Sequence, residues 1–330
     1  MEKPVTFKNR KGETLFGMLF IPDNEDTEKK VGIILSVDAV KYRIGTFRLH
    51  TLLAREWCRS GYHVMYFDPA GIGDSEGYFE EKYVIEHHLD IARGKYNEDT
   101  LDAVSFFKSQ FPLDSMLLFG LCGGAVSVTI SAGLDPRIDG LILLAVPVLF
   151  DDVRKIDGDT EDHVSIITTG GYARNVLKTV FKKVFSPQSW IKLVKLKINW
   201  REIYRVSSKA LRVAIKDTQQ KISGILRKKK RIAGSDPVSE HPRFNRLFQE
   251  SLFRFFSRGK KILFIFGELD FVTWDFKSEF QDKALSPGNP YEGLYEIHMI
   301  KDANHIFAGK EAYRKINGII RDWLSGNFSF

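Results

Sequence analysis

A glycine-rich turn around a cysteine is the segment of this sequence whose residue types suit covalent chemistry. Residues 120–124 read Gly-Leu-Cys-Gly-Gly and lie between an apolar run and a helical pattern. A nucleophile in a tight strand-to-helix turn needs small neighbours, because bulky side chains would clash with the adjacent strand and helix. We predict that Cys122 is a nucleophile and that the Gly123 N–H donates to an oxyanion. The alternative is a tight turn with a buried, inert cysteine.

Two later segments offer an acid and a base for this nucleophile. Asp270 follows the apolar run 261–266, and His305 follows the run 295–300. We predict that His305 draws the proton from Cys122 and that Asp270 holds the imidazole tautomer, since the three occur in the order nucleophile, acid, histidine. Glu268 is a rival for the acid, and His298 is a weaker candidate for the base.

The elements that position these residues alternate along the chain. Short apolar runs rich in Val, Ile and Leu predict strands at residues 32–37, 62–67, 115–119, 140–146, 261–266 and 295–300. An N-terminal hairpin is predicted over 5–22, and helices at 47–60, 100–110, from 125 onward, and at 314–324. Continuous apolar strands between helices indicate a mostly parallel sheet with helices on both faces. With the nucleophile turn, this predicts an α/β-hydrolase fold with a helical cap insertion.

The charge distribution divides the 330-residue chain. Residues 171–231 hold 18 Lys and Arg against two acids, a net +16, whereas the whole chain is +7. We predict a core formed by residues 1–150 and 261–330, and a basic helical cap insertion at 151–260. Apolar stripes at helical spacing within 176–185 and 203–213 support helices in the insertion.

A second local motif follows the predicted strand 62–67. Residues 68–75 read Asp-Pro-Ala-Gly-Ile-Gly-Asp-Ser. We interpret it as structural, with glycines for tight turns and with Asp74 and Ser75 making loop hydrogen bonds. It does not fit a dinucleotide-binding loop, because Glu76 stands where that motif needs its third glycine. We predict no cofactor and no metal.

Several of these segments together resemble the exosortase-A-system-associated α/β hydrolases. The similar segments are residues 41–48 (Lys-Tyr-Arg-Ile-Gly-Thr-Phe-Arg), 52–55, 68–75, 120–122, 186–202 and 303–307. The resemblance implies an enzyme of exopolysaccharide or cell-surface loci and does not specify its substrate. The cysteine turn also resembles that of dienelactone hydrolases, which share a Cys–His–Asp triad but lack a long basic insertion.

The chain departs from the family at residues 38–40. These read Asp-Ala-Val, where the family often has glycines and a proline. The resemblance implies that this loop supplies the second oxyanion donor, and we expect the backbone N–H of Ala39 or Val40 to serve.

These residues predict an acyl ester or thioester hydrolase that forms a thioester acyl-enzyme. Because thioesters react readily with amines and thiols, an acyltransferase to a non-water acceptor in surface polysaccharide synthesis is one alternative. A catalytically silent scaffold with the same fold is another. The substrate is expected to be an acyl ester, a thioester or an acyl-CoA-like molecule.

The basic insertion has three interpretations: a solvated cap, a surface for anionic membranes, and a site for acidic substrates. No nucleic-acid recognition motif accompanies its charge, so nucleic acid is not an expected partner. Two cysteines, no apolar N-terminal signal region and no apolar run near 20 residues predict a cytoplasmic protein, with peripheral binding at the inner membrane surface as an option.

Overall fold

The computed structural model describes residues 1–23, 28–36, 42–80, 84–150, 207–208, 211–212, 215 and 241–328. Contacts divide the chain into two compact units. One consists of Met1–Val153, Pro242–Thr273 and Pro287–Phe330, and the other of Arg154–His241 and Trp274–Ser286. The three residues of the predicted triad all belong to the first unit, so the fold of that unit is what positions them.

The first unit is built on one eight-stranded sheet. Its strands are β1 (Glu2–Lys8), β2 (Thr14–Phe20), β3 (Lys29–Ser36), β4 (Tyr62–Phe67), β5 (Ser115–Leu121), β6 (Gly140–Leu144), β7 (Lys261–Gly267) and β8 (Tyr295–Ile300). Their spatial order is β1-β2-β4-β3-β5-β6-β7-β8. The hairpin β1–β2 is antiparallel, β2 joins β4 antiparallel, and every remaining pair is parallel. The predicted mostly parallel sheet is confirmed.

The central strands are buried along almost their whole length because both faces of the sheet are covered. All residues of β4 and β6 are buried, as are all but the first residue of β5 and of β7. A strand covered on both faces has no solvent face, so it shows a continuous apolar run instead of alternation. Because β5, β6 and β7 run parallel, the carboxyl ends of β5 and β7 lie at one edge of the sheet, and Cys122 and Asp270 follow them there.

The described helices lie between the strands and after them. They are α1 (Leu49–Arg59), α2 (Val84–Ala92), α3 (Asn97–Gln110), α4 (Gly123–Leu134), α5 (Arg246–Phe256), α6 (Phe271–Phe276), α7 (Asp282–Ala284) and α8 (Lys310–Asn327). Helix α1 packs with α8, and α4 packs with α2, α3 and α5. Helix α4 approaches α5 closely, because a Cβ on Gly133 would lie 2.6 Å from the Ser251 Cβ.

The chain leaves and re-enters the first unit at neighbouring points. Leu149 forms an antiparallel bridge with Phe244, and the Phe150 N–H donates to the Arg243 carbonyl at 2.7 Å. Helix α5, which falls inside the predicted insertion 151–260, packs on α4 in the first unit. The description of 151–260 as one basic helical cap stays a prediction, because most of that range, including its predicted helical stripes, lies outside the described residues.

The end of strand β5 and the presence of helix α2 differ from the sequence prediction. Strand β5 continues to Leu121, two residues beyond the predicted end, because Gly120 and Leu121 still pair with Leu143 and Leu144 of β6. Helix α2 was not predicted. None of the helices in the described part of the chain is long and apolar enough to cross a bilayer.

Candidate active site

Cys122 is the single residue between β5 and α4. Its backbone has φ 54° and ψ −122°, a conformation that non-glycine residues rarely adopt. Its N–H donates to the Leu144 carbonyl at 2.9 Å, and its carbonyl accepts from the Ala125 N–H at 3.0 Å. These bonds to strand and helix hold the strained residue in place, as expected where strain serves a function.

Gly120 makes the sharp turn around Cys122 sterically possible. A Cβ at this position would lie 2.5 Å from the Ala125 nitrogen and 2.5 Å from the Gly124 carbonyl carbon. Both are backbone atoms of α4, which cannot move aside without displacing the helix. The glycine therefore lets α4 begin directly against the end of β5.

Asp270 lies in the short loop between β7 and α6, with its side chain fully buried. Its Oδ1 accepts a hydrogen bond from the Val272 N–H at 3.1 Å. The loop is closed on itself, because the Asp270 N–H and the Thr273 hydroxyl both donate to the Gly267 carbonyl, at 3.2 and 2.7 Å. These bonds leave Oδ2 of the carboxylate oriented toward a partner on the next loop.

That partner is His305, in the loop after β8. The distance from His305 Nδ1 to Asp270 Oδ2 is 2.8 Å. Burial by itself lowers the pKa of His305, but the hydrogen bond to Asp270, a hydrogen bond to Cys122 and the charges of both groups raise it to about 10. Because Nδ1 is taken by Asp270, the nitrogen available to the Cys122 sulfur is Nε2. The structure thus brings the three predicted triad residues together.

The loops that carry Asp270 and His305 are joined by their backbones. A Cβ on Gly267 would lie 2.6 Å from the Ala303 carbonyl oxygen, so glycine permits the close approach. The Leu269 N–H donates to the same carbonyl at 2.9 Å. The separation of Asp270 and His305 is therefore set by the packing of these two loops.

The rival candidates occupy other positions. Glu268 Oε2 accepts from the Asp302 N–H at 3.2 Å, so this carboxylate braces the histidine loop. His298 lies on β8, where its Nε2 is 3.0 Å from Glu296 Oε2. In the structure the carboxylate that contacts His305 is that of Asp270.

The oxyanion donors are described only in part. Gly123 is the first residue of α4, so its N–H belongs to the first turn, where backbone donors have no acceptor within the helix. Ala39 and Val40 lie outside the described residues, and the second donor stays a prediction. Within the described ranges, His, Cys, Asp and Glu form no group of three or more that could hold a metal ion.

The turn at residues 68–75 has a partner that the sequence analysis did not identify. The buried Asp68 carboxylate pairs with the Arg43 guanidinium and accepts from the Arg43 N–H at 2.8 Å. Arg43 also contacts Asp74 at 2.7 Å, and the Ser75 hydroxyl donates to the Asp68 carbonyl at 2.6 Å. Arg43 lies in the segment 41–48, one of those that carry the family resemblance. That segment was the signal in the sequence that could have identified Arg43 as a partner of the turn.

Comparisons with solved structures agree with this fold. The α/β hydrolase GrgF from Penicillium sp. sh18 is similar with a TM-score of 0.54 and 16% identity, covering 100% of both chains. An esterase from Pyrococcus furiosus matches at a TM-score of 0.55 and 11% identity, over 100% of this chain and 92% of its own. An α/β serine hydrolase without a lid from Xanthomonas campestris matches at a TM-score of 0.50 and 14% identity, over 98% and 94%.

No protein-family model and no curated protein matches the sequence. The structural neighbours confirm the predicted α/β-hydrolase fold. At these identities the likeness concerns the fold alone, and the chemistry of the site has to be argued from its own geometry.

Proposed function

We propose that this protein is an acyl ester or thioester hydrolase in which Cys122, His305 and Asp270 form the catalytic triad. The observation that carries the proposal is His305, whose Nδ1 lies 2.8 Å from Asp270 Oδ2 while the Cys122 side chain is near enough to help raise its pKa. This is the nucleophile–base–acid arrangement of covalent acyl transfer. The hydrolase and esterase neighbours support the reaction class.

In the first half-reaction the Cys122 sulfur attacks the acyl carbonyl carbon. The new C–S bond forms, and the oxyanion accepts a hydrogen bond from the Gly123 N–H. The bond to the leaving group then breaks as that group takes the proton from His305 Nε2. A pKa near 10 keeps His305 protonated at neutral pH, so it stands ready as the proton donor. The nucleophilic form of cysteine is the thiolate, so in the proposed step the proton that His305 gives to the leaving group is the one that Cys122 has given up.

In the second half-reaction water attacks the thioester. Its proton passes to His305 Nε2, the C–S bond breaks, and the carboxylic acid leaves while the thiolate–imidazolium pair is restored. Asp270 holds the imidazole through Nδ1 in both half-reactions. An acceptor other than water would follow the same path, which makes acyl transfer the second candidate for this site.

The test is intact-protein mass spectrometry with a chromogenic short-chain ester and an acyl-CoA. Wild-type protein should gain the mass of one acyl group at Cys122, Cys122→Ser should turn over slowly or not at all, and Cys122→Ala should gain none. Absence of an adduct together with no labelling of Cys122 by iodoacetamide would overturn the proposal and favour a silent scaffold.

For the partners, we propose that the basic residues 171–231 bring the enzyme to an anionic membrane surface in the cytoplasm. The support is the net +16 of this segment and its apolar residues at helical spacing. The resemblance to exosortase-associated hydrolases supports a substrate from surface polysaccharide synthesis. The protein should pellet with anionic vesicles but not with neutral vesicles at low salt, and equal binding to both would contradict the membrane role.

A further inference from the structure

An aromatic side chain lies beside the imidazole of the candidate base. The Phe271 ring is nearly parallel to the His305 ring, with 6.3 Å between centroids and 17° between planes. Phe271 directly follows Asp270 and is 36% exposed. A partly exposed apolar surface therefore adjoins the group that handles the proton in both half-reactions.

The backbone holds Phe271 in this position. The loop 267–273 is closed by the bonds of Asp270 N–H and Thr273 hydroxyl to the Gly267 carbonyl, and Val272 N–H donates to the Asp270 carboxylate. Phe271 lies inside this closed loop as the first residue of α6. The backbone of Phe271 is therefore held by the same contacts that orient Asp270, which places the start of its side chain next to the His305 loop.

The position of the proton donor determines which part of a substrate meets this ring. A leaving group must come within about 3 Å of His305 Nε2 to take its proton, and an attacking acceptor must come equally close to give one up. Substituents on that atom then lie near the imidazole and within reach of the Phe271 ring, whose centroid is 6.3 Å from that of the His305 ring. The acyl group is bonded to the Cys122 sulfur and leaves the reacting carbon in a different direction from the leaving group.

We propose that Phe271 is a specificity-determining residue that forms an apolar subsite for the leaving group and for the acceptor. The substrate class is an ester or thioester whose alcohol or thiol part carries an apolar or aromatic group close to the reacting atom. This inference rests on the proposed function, since it assigns the leaving-group side from the role of His305. Burying apolar area against the ring favours such groups over small ones.

The experiment compares two thioesters, S-ethyl thioacetate and S-(2-phenylethyl) thioacetate. They differ only in the phenyl group of the thiol part, which is not itself a reacting group. Wild-type kcat/KM should favour the phenylethyl compound by about tenfold, as expected for one buried aromatic contact. Phe271→Ala should reduce this preference to about twofold; the readout is the ratio of the two kcat/KM values, in which any effect of the substitution common to both thioesters cancels. Phe271→Leu should retain part of the preference, because it keeps apolar area.

Leu269→Ala is the matched control, since Leu269 is an exposed apolar residue on the other side of Asp270 in the chain. It should keep the wild-type preference. Transfer from p-nitrophenyl acetate to 2-phenylethanethiol, relative to ethanethiol, should fall in Phe271→Ala and not in the control. Thermal unfolding of each variant checks that it is folded.

The outcomes separate this inference from the proposed function. If wild-type protein forms the acetyl adduct at Cys122 but Phe271→Ala keeps the full preference, the Phe271 subsite is wrong and the triad stands. If wild-type protein forms no adduct with either thioester and Cys122 resists iodoacetamide, the proposed function fails and the subsite fails with it.

Discussion

Two buried aspartates of this fold sit at corresponding places and hold different kinds of cation. Asp270 follows β7 and Asp68 follows β4, and the side chain of each is fully buried. Asp270 binds His305, whereas Asp68 binds Arg43. Both carboxylates also accept a backbone N–H close by, from Val272 and from Arg43.

The difference lies in whether the cation can release its proton. Histidine gives up and regains a proton near neutral pH, while arginine stays protonated in proteins. The Asp270 pair also includes Cys122, which the Asp68 pair lacks. Arg43 instead contacts a second acid, Asp74, and holds the pKa of that carboxyl below its usual range.

A buried aspartate at a strand end does not by itself identify a catalytic acid. Burial raises the pKa of Asp68 even though Arg43 opposes the shift, so the arginine compensates for the cost of burying that carboxylate. The Asp270 pair uses the same construction to hold a titratable group beside Cys122. Substitutions in the two pairs should therefore affect different properties.

The largest effect is expected from His305→Asn, which removes the titratable cation. Turnover should fall by about 10³-fold, because the thiol loses its base and the leaving group its proton donor. Iodoacetamide should label Cys122 more slowly at pH 7 in this variant, with peptide mapping to distinguish Cys58, whose thiol pKa is raised by burial. Turnover within tenfold of wild type would show that another group is the base.

Asp68→Asn should damage folding rather than chemistry. It removes the buried carboxylate and leaves Arg43 paired with the exposed Asp74, so the loss of stability should lie below the about 3–5 kcal/mol of a fully broken buried ion pair. Denaturant unfolding should show this loss, while the folded protein still forms the acyl adduct at Cys122. Normal stability with lost adduct formation would mean that Asp68 takes part in the reaction, and the contrast between the two pairs would fail.

Local rules predicted where the three candidate residues lie, while their catalytic roles stay a prediction. Gly120 indicated the tight strand-to-helix turn at Cys122, because a side chain there would clash with the helix, and Asp270 and His305 each follow a strand that its apolar run predicted. The last two residues of β5 were missed because their pairing with β6 is a tertiary contact. Arg43 and Asp68 are 25 residues apart, so only the folded loops show that they bind each other.

Asp270→Asn should give a smaller loss of turnover, about 10²-fold, with a displaced pH profile. Asp270 is one of the groups that raise the pKa of His305 to about 10. Activity that needs the imidazolium should be lost in wild type as pH rises through about 10, and in the variant at a lower pH. An unchanged alkaline limb would contradict the role of Asp270.

The same pKa has a consequence for stability with a defined sign. His305 has a higher pKa in the folded state than its ordinary 6.5, so the folded protein binds more protons between the two values. Its contribution to stability is present below about pH 6.5 and is lost as pH rises through about 10. Unfolding measured across this range should show less dependence on pH in His305→Asn than in wild type.

The smallest effect is expected at a third acid–cation pair, formed by His298 and Glu296 on β8. Their atoms are 3.0 Å apart, but the side chains are 39% and 49% exposed. An exposed pair is worth about 0–1 kcal/mol because water screens the charges, so His298→Gln should leave stability and turnover near wild type. A loss of turnover comparable to that of His305→Asn would restore His298 as the base. The distance between acid and histidine is similar in the His298 and His305 pairs, 3.0 and 2.8 Å. If His298→Gln changes neither stability nor turnover, then an acidic partner alone does not make a base, and burial and the nearby Cys122 are what distinguish His305.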